Sequence, residues 1–131
     1  MAYRFEFDRK NKVLLMRYEG QLTQVMAEES GAALQRYWPA TSPSAVIVDF
    51  SSVTELAVPT GFLREVADQA LLVDATSTPV ALVNPAPVGF GLSRMFEIAG
   101  QPRRSQLLVV RSMDEAFTAL GLQSPIFEPL A

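Results

Sequence analysis

Four stretches of this chain are apolar over the length of a strand: Lys12–Glu19 (KVLLMRYE), Ala45–Phe50 (AVIVDF), Val80–Val83 (VALV) and Ser105–Arg111 (SQLLVVR). In each, consecutive residues are apolar, so both strand faces are. Val13 and Leu15 oppose Leu14 and Met16; Val46 and Val48 oppose Ile47; Leu107 and Val109 oppose Leu108 and Val110. A strand of that kind must be covered on both sides, as in sheets packed between layers. The first strand differs: Tyr3, Phe5 and Phe7 alternate with Arg4, Glu6 and Asp8, the pattern of a half-exposed strand. Asp8-Arg9-Lys10-Asn11 is a polar turn that joins it to the second as a hairpin, which Gly20 ends.

Helical spacing fills the intervals. Thr23 is placed to cap a helix over 24–37 with Met26, Ala33, Leu34 and Tyr37 inward, stopped by Pro39. Pro59 suits the first turn of a second helix carrying Phe62, Leu63, Val66, Ala67 and Ala70. A third runs over 89–99 to Gly100. Ser112 and Glu115 form a capping box for a fourth, which Gly121 ends. The order β-β-α-β-α-β-α-β-α predicts one α/β domain over residues 1–131, with a mostly parallel or mixed sheet and right-handed crossovers.

Composition narrows the chemistry. The 131 residues include no Cys and no His, which excludes disulfides, thiolate nucleophiles, imidazole bases and zinc sites built on those ligands. Lys and Arg number 11 against 14 Asp and Glu, a net charge of −3, so a phosphate-tracking nucleic-acid surface is not expected. No apolar run reaches the roughly 18–20 residues that span a bilayer. MAYRFEFDRK lacks the apolar core of a signal peptide, and the expected location is cytoplasmic. No metal or cofactor is expected. Gly89-Phe90-Gly91 opens a helix but lacks the third glycine of a dinucleotide loop.

Two regions carry candidate function. Asp49 ends an apolar strand, where open α/β sheets place ligands, and Ser51, Ser52, Thr54, Glu55 and Thr60 follow on what reads as a connection. A serine nucleophile would have no histidine as its base and would have to recruit Lys10 or Lys12 from the opposite end of the sequence. A carboxylate enzyme would have to pair Asp49 with Glu55. The plainer reading makes Asp49 structural, accepting N–H bonds from the following turn. The second region is an apolar wall on the third helix, Phe90, Leu92, Met95 and Phe96, suited to a small apolar ligand or lipid. Met16, Met26, Met95 and Met113 are scattered and read as core filler rather than a binding stripe, and Trp38 as helix-end packing rather than a partner anchor.

Val46 to Gly61 (VIVDFSSVTELAVPTG) resembles the STAS family, the domain shared by sulfate transporters and anti-sigma-factor antagonists. So does Arg94-Met95-Phe96-Glu97-Ile98-Ala99-Gly100, with Val109 to Arg111, Asp114-Glu115-Ala116 and the opening Val13 to Leu22. The likeness runs over nearly the whole chain. It implies helices mainly on one sheet face and a non-catalytic regulatory module that binds a protein partner, such as an anti-sigma-factor kinase. It also implies a phospho or partner loop at Asp49, Ser51, Ser52, Thr54, Glu55, Thr60 and Gly61. The chain departs at the switch itself: Pro59 stands where the family phosphorylates a serine, and one inserted residue would put Thr60-Gly61 on that step. The standard switch is therefore expected to be missing. Helices on one face would leave the other apolar, so a homodimer, or the tail residues Ile126, Phe127 and Leu130, is expected to cover it.

Overall fold

The computed structural model describes residues 3–57, 78–83 and 107–130. Six strands form one sheet in the order β5-β4-β3-β2-β1-β6. β1 (Tyr3–Asp8) and β2 (Val13–Thr23) make the antiparallel hairpin, Tyr3 opposite Tyr18 and Asp8 opposite Val13. β3 (Ala45–Ala57), β4 (Val80–Val83) and β5 (Leu107–Val110) then add in parallel. β6 (Glu128–Pro129) closes the far edge, antiparallel to β1. The mixed α/β sheet with its N-terminal hairpin is the architecture that the apolar runs predict. The expected helices over 59–70 and 89–99 lie outside the described residues.

Side-chain parity divides the core in two. Leu14, Met16, Val46, Val48, Val80 and Leu82 face α1 (Gln24–Thr41), which lays Met26 and Ala33 on them, with Leu34, Tyr37 and Trp38 partly buried beside. Val13, Leu15, Ala45, Ile47, Ala81 and Val83 face the other way, against Ala116, Met113, Phe117 and Leu120 of α2 (Met113–Leu120) and against Leu122 and Phe127 of the tail. Leu14, Leu15 and Ile47 lose all exposure; burying such a side chain stabilises by about 1.5–3 kcal/mol. The helices expected mainly on one face are thus, among the described residues, one on each. The apolar second face is covered by the chain itself, which removes the reason for expecting a partner subunit there. Of the tail residues, Phe127 packs on this face and Leu130 on the first, whereas Ile126 is exposed.

Three boundaries differ from expectation. β2 does not end at Gly20. It runs on to Thr23, because Gly20 takes φ 76°, a left-handed conformation that glycine tolerates, next to a slip in the β2–β3 register. α1 does not stop at Pro39 but passes through it into a last turn. Proline there costs only one late intrahelical bond. The end is closed by Ser42, in the left-handed region, whose N–H donates to the Trp38 carbonyl at 2.9 Å, and by Thr41 Oγ1, which donates to the Tyr37 carbonyl at 2.8 Å. β3 extends to Ala57, so the polar run Ser51–Glu55 is strand and not connection. The two caps read from sequence are present: Thr23 Oγ1 accepts from the Met26 N–H at 3.2 Å and Ser112 Oγ from the Glu115 N–H at 3.1 Å.

Candidate functional site

Among the described residues β2 and β3 outlast their neighbours. Pairing with β4 ends at Asp49–Val83, but pairing with β2 continues from Glu19–Ser52 to Thr23–Ala57. Between Arg17 and Gln21 the register slips twice, each time by one extra residue on β3. Among the described residues the two strands run on as a parallel ribbon past the last β3–β4 pair. On it Ser51, Ser52, Thr54 and Glu55 are all exposed. Gln21 Nε2 donates to Glu55 Oε2 at 3.4 Å, across the ribbon. The sequence-expected loop is therefore an exposed row of hydroxyls with one carboxylate, held extended by β2. Thr60 and Gly61 lie outside the described residues, as do Phe90, Leu92, Met95 and Phe96 of the expected apolar wall.

Asp49 sits at the root of the ribbon, in mid-strand and only 6% exposed. Its Oδ1 accepts from the Ser51 N–H at 2.9 Å, inside the first register slip, where the extra residue leaves a backbone donor off the ladder. Its Oδ2 lies 3.8 Å from Arg17 Nε, and the same nitrogen lies 3.2 Å from Glu6 Oε2. Arg4 reaches Glu6 at 3.6 Å and Glu19 at 3.3 Å. Charges thus run across three strands in the order β1, β2, β3. They continue the face of Val13, Leu15 and Ile47, so the second core ends in a charged margin toward the ribbon. Arg17 is the element that the sequence reading missed. Its signal was present: a lone cation inside the run VLLMRY, matched by a lone anion closing AVIVD. Glu6 and Asp8, read as a solvent-facing edge, are also withdrawn from water. The Glu6 side chain is 14% exposed, and Asp8 is buried.

Two further polar groups are buried. Asp8 Oδ1 accepts from the N–H groups of Lys10 at 3.0 Å and Asn11 at 3.3 Å, and Oδ2 from Asn11 Nδ2 at 2.8 Å. Burial pushes its pKa up, but the Asn11, Lys10 and Ile126 donors outweigh burial and hold it below the ordinary carboxylate value. On the opposite face Tyr18 stacks on Phe50 at 5.3 Å and its hydroxyl bonds Ser30 Oγ, which donates in turn to the Ala27 carbonyl at 3.0 Å. Burial, only partly offset by the Ser30 bond and reinforced by Tyr3, pushes the Tyr18 phenol up to about 12.

This geometry fits support better than catalysis. Asp49 pairs with Arg17 and Glu55 with Gln21, four residues further along β2, which sets the two about 13 Å apart at some 3.3 Å per residue. Carboxylates that share acid–base work stand roughly 5–10 Å apart. Among the described residues no group of three or more acidic side chains is arranged to hold a metal. No described helix is long and apolar enough to cross a membrane.

No protein-family model and no curated protein matches the sequence. Solved structures do match. The anti-sigma factor antagonist SpoIIAA in its unphosphorylated form superposes with a TM-score of 0.61 at 14% identity, over 90% of this chain and 96% of that one. The chain has the fold of the anti-sigma factor antagonists. The phosphorylated form of SpoIIAA, the Bacillus cell fate determinant, gives 0.61 at 16% identity over 91% and 99%. An anti-sigma factor antagonist from Mycobacterium paratuberculosis gives 0.57 at 22% identity over 92% and 95%. The STAS-like fold that the motifs around Asp49 and Gly100 imply is therefore the observed one, and it accounts for nearly the full length of both partners in each comparison.

Proposed function

We propose that this chain is a non-catalytic regulatory module that binds an anti-sigma factor, including one with kinase activity, from the cytoplasm. The observation that carries this reading is the near-complete structural match to antagonists of such factors. The exposed Ser51, Ser52, Thr54 and Glu55 support a binding edge: a rigid, polar strand offers side chains to a partner without a large ordering cost. Asp49 and Arg17 stiffen its root. The module works without the standard phosphoserine, because Pro59 has no hydroxyl. Thr60 is the residue that would take over a phosphate if the switch survives in shifted form.

Titration calorimetry against each anti-sigma factor of the source organism tests the reading. One of them should bind with one-to-one stoichiometry; no heat with any of them would remove the reading. Incubation with a kinase-type factor followed by mass spectrometry should return unmodified chain. A phosphate on Thr60 would restore the switch.

A further inference from the structure

The segment after α2 wraps the sheet margin. Phe127 packs on the second face, stacked on Phe117 at 6.3 Å, while Leu130 packs on the first. Between them Glu128 and Pro129 lie against β1, Phe7 opposite Glu128 and Glu6 opposite Pro129. The Leu130 N–H donates to the Phe5 carbonyl at 2.9 Å, and Glu128 reaches Arg9 at 3.8 Å. Phe5–Leu130 is thus a hydrogen-bonded pair, and by the alternation of an antiparallel ladder Glu6–Pro129 is not. The backbone nitrogen of Pro129 therefore faces away from β1, toward the outside of the sheet. Proline offers no N–H there, and with only two residues the strand blunts this edge of the sheet against further pairing.

The edge beneath that cap is self-complementary. The hydrogen-bonding groups of Phe5 face outward, so two copies of β1 can pair antiparallel about a two-fold axis at Phe5. Tyr3 then meets Phe7 of the second copy, extending the aromatic side. Arg4 meets Glu6 of the second copy, and Glu6 meets Arg4, in the closely spaced non-hydrogen-bonded positions where opposite charges attract. Like charges never oppose in this register. We infer that the outer edge of β1 is a homodimer surface, that its occupant is the β1 edge of a second copy, and that Glu128–Leu130 is the intramolecular plug that keeps it closed. The homodimer expected from the two-sided strands is thereby moved from the sheet face, which α2 and Phe127 cover, to the sheet edge. The inference does not rest on the anti-sigma-factor reading.

Deletion of residues 128–131 opens the edge while leaving α2, Phe127 and the Ile126 N–H bond to Asp8 in place. Sedimentation across a dilution series should give the single-chain mass for the intact protein and a mass rising to twice that for the deletion. Adding Arg4→Glu, which sets like charges opposite each other, should return the deletion to single-chain mass. Glu128→Pro in the full-length chain removes the N–H facing Phe7 and should produce the same dimer without shortening the protein, which keeps the test available if the deletion unfolds. A folded deletion or Glu128→Pro variant that stays at single-chain mass at every concentration would overturn the inference. So would a dimer that Arg4→Glu leaves intact.

Discussion

Replacing Asp49 by alanine separates a supporting role from a chemical one. The carboxylate is 6% exposed and holds the Ser51 N–H at 2.9 Å. Removing the acceptor leaves that donor unpaired at a register slip, which costs about 1–3 kcal/mol. The ionic part adds little. Arg17 keeps Glu6 at 3.2 Å after Asp49 is gone, so no buried cation is orphaned. The contrast is Arg17→Met, which leaves Asp49 without a cation and Glu6 with only the more exposed Arg4 at 3.6 Å; breaking a buried pair that way costs up to about 3–5 kcal/mol. For a domain of this length each kcal/mol moves the melting midpoint by about 3–4 °C. Calorimetric melting should therefore show Asp49→Ala lower by roughly 3–12 °C. Asp49→Asn, which keeps an acceptor, should fall by less, and Arg17→Met should fall furthest. A catalytic or ligand-holding Asp49 predicts the reverse, stability unchanged or raised on substitution, since functional sites are held at some cost to stability. If Asp49→Ala melts with the wild type, the supporting role is wrong.

Ser30→Ala leaves the Tyr18 hydroxyl buried without its partner and should cost about 1–3 kcal/mol, more than Tyr18→Phe, after which Ser30 still donates to the Ala27 carbonyl; chemical denaturation ranks the two. Because the folded Tyr18 phenol is raised to about 12, stability should be complete below the ordinary tyrosine value near 10 and be lost as pH rises from there through 12, a loss absent from Tyr18→Phe. Asp8 is depressed, so its contribution should be full above the ordinary carboxylate value and vanish as pH falls through its folded value; Asp8→Ala should show a flatter acid limb in a pH series of melts, with about 2 kcal/mol lost at neutral pH.

Where burial repeats with a period, the fold was legible. Tyr3-Phe5-Phe7 announces a one-sided strand, AVIVDF and VALV announce two-sided ones, and Ser112, Glu115 and Gly121 mark both ends of α2. Rules about breakers failed where long-range partners override them. Gly20 looks like a strand end, but pairing with β3 carries the strand through it, and the positive φ fits the slip. Ser51 to Glu55 reads as a turn because its side chains are polar, yet its backbone pairs through Ser52, Val53 and Glu55 with β2, a strand some thirty residues earlier, while the Ser51 N–H goes to Asp49. At the site, Asp49 was found because it interrupts an apolar run. Its partner Arg17 was not, since nothing in either segment fixes the parallel register that sets them side by side. One of the donors to Asp8 is equally nonlocal: the Ile126 N–H arrives from the far end of the chain.

Hydrogen exchange of the chain alone and mixed with the anti-sigma factor that titration calorimetry selects tests the proposed function most directly. Amides from Ser51 to Ala57 should exchange more slowly in the complex than alone, while those of α2 and of Leu122–Leu130 stay unchanged. Protection confined to α2 and the tail, with Ser51–Ala57 unaffected, would contradict the assignment of this β3 segment as the binding surface.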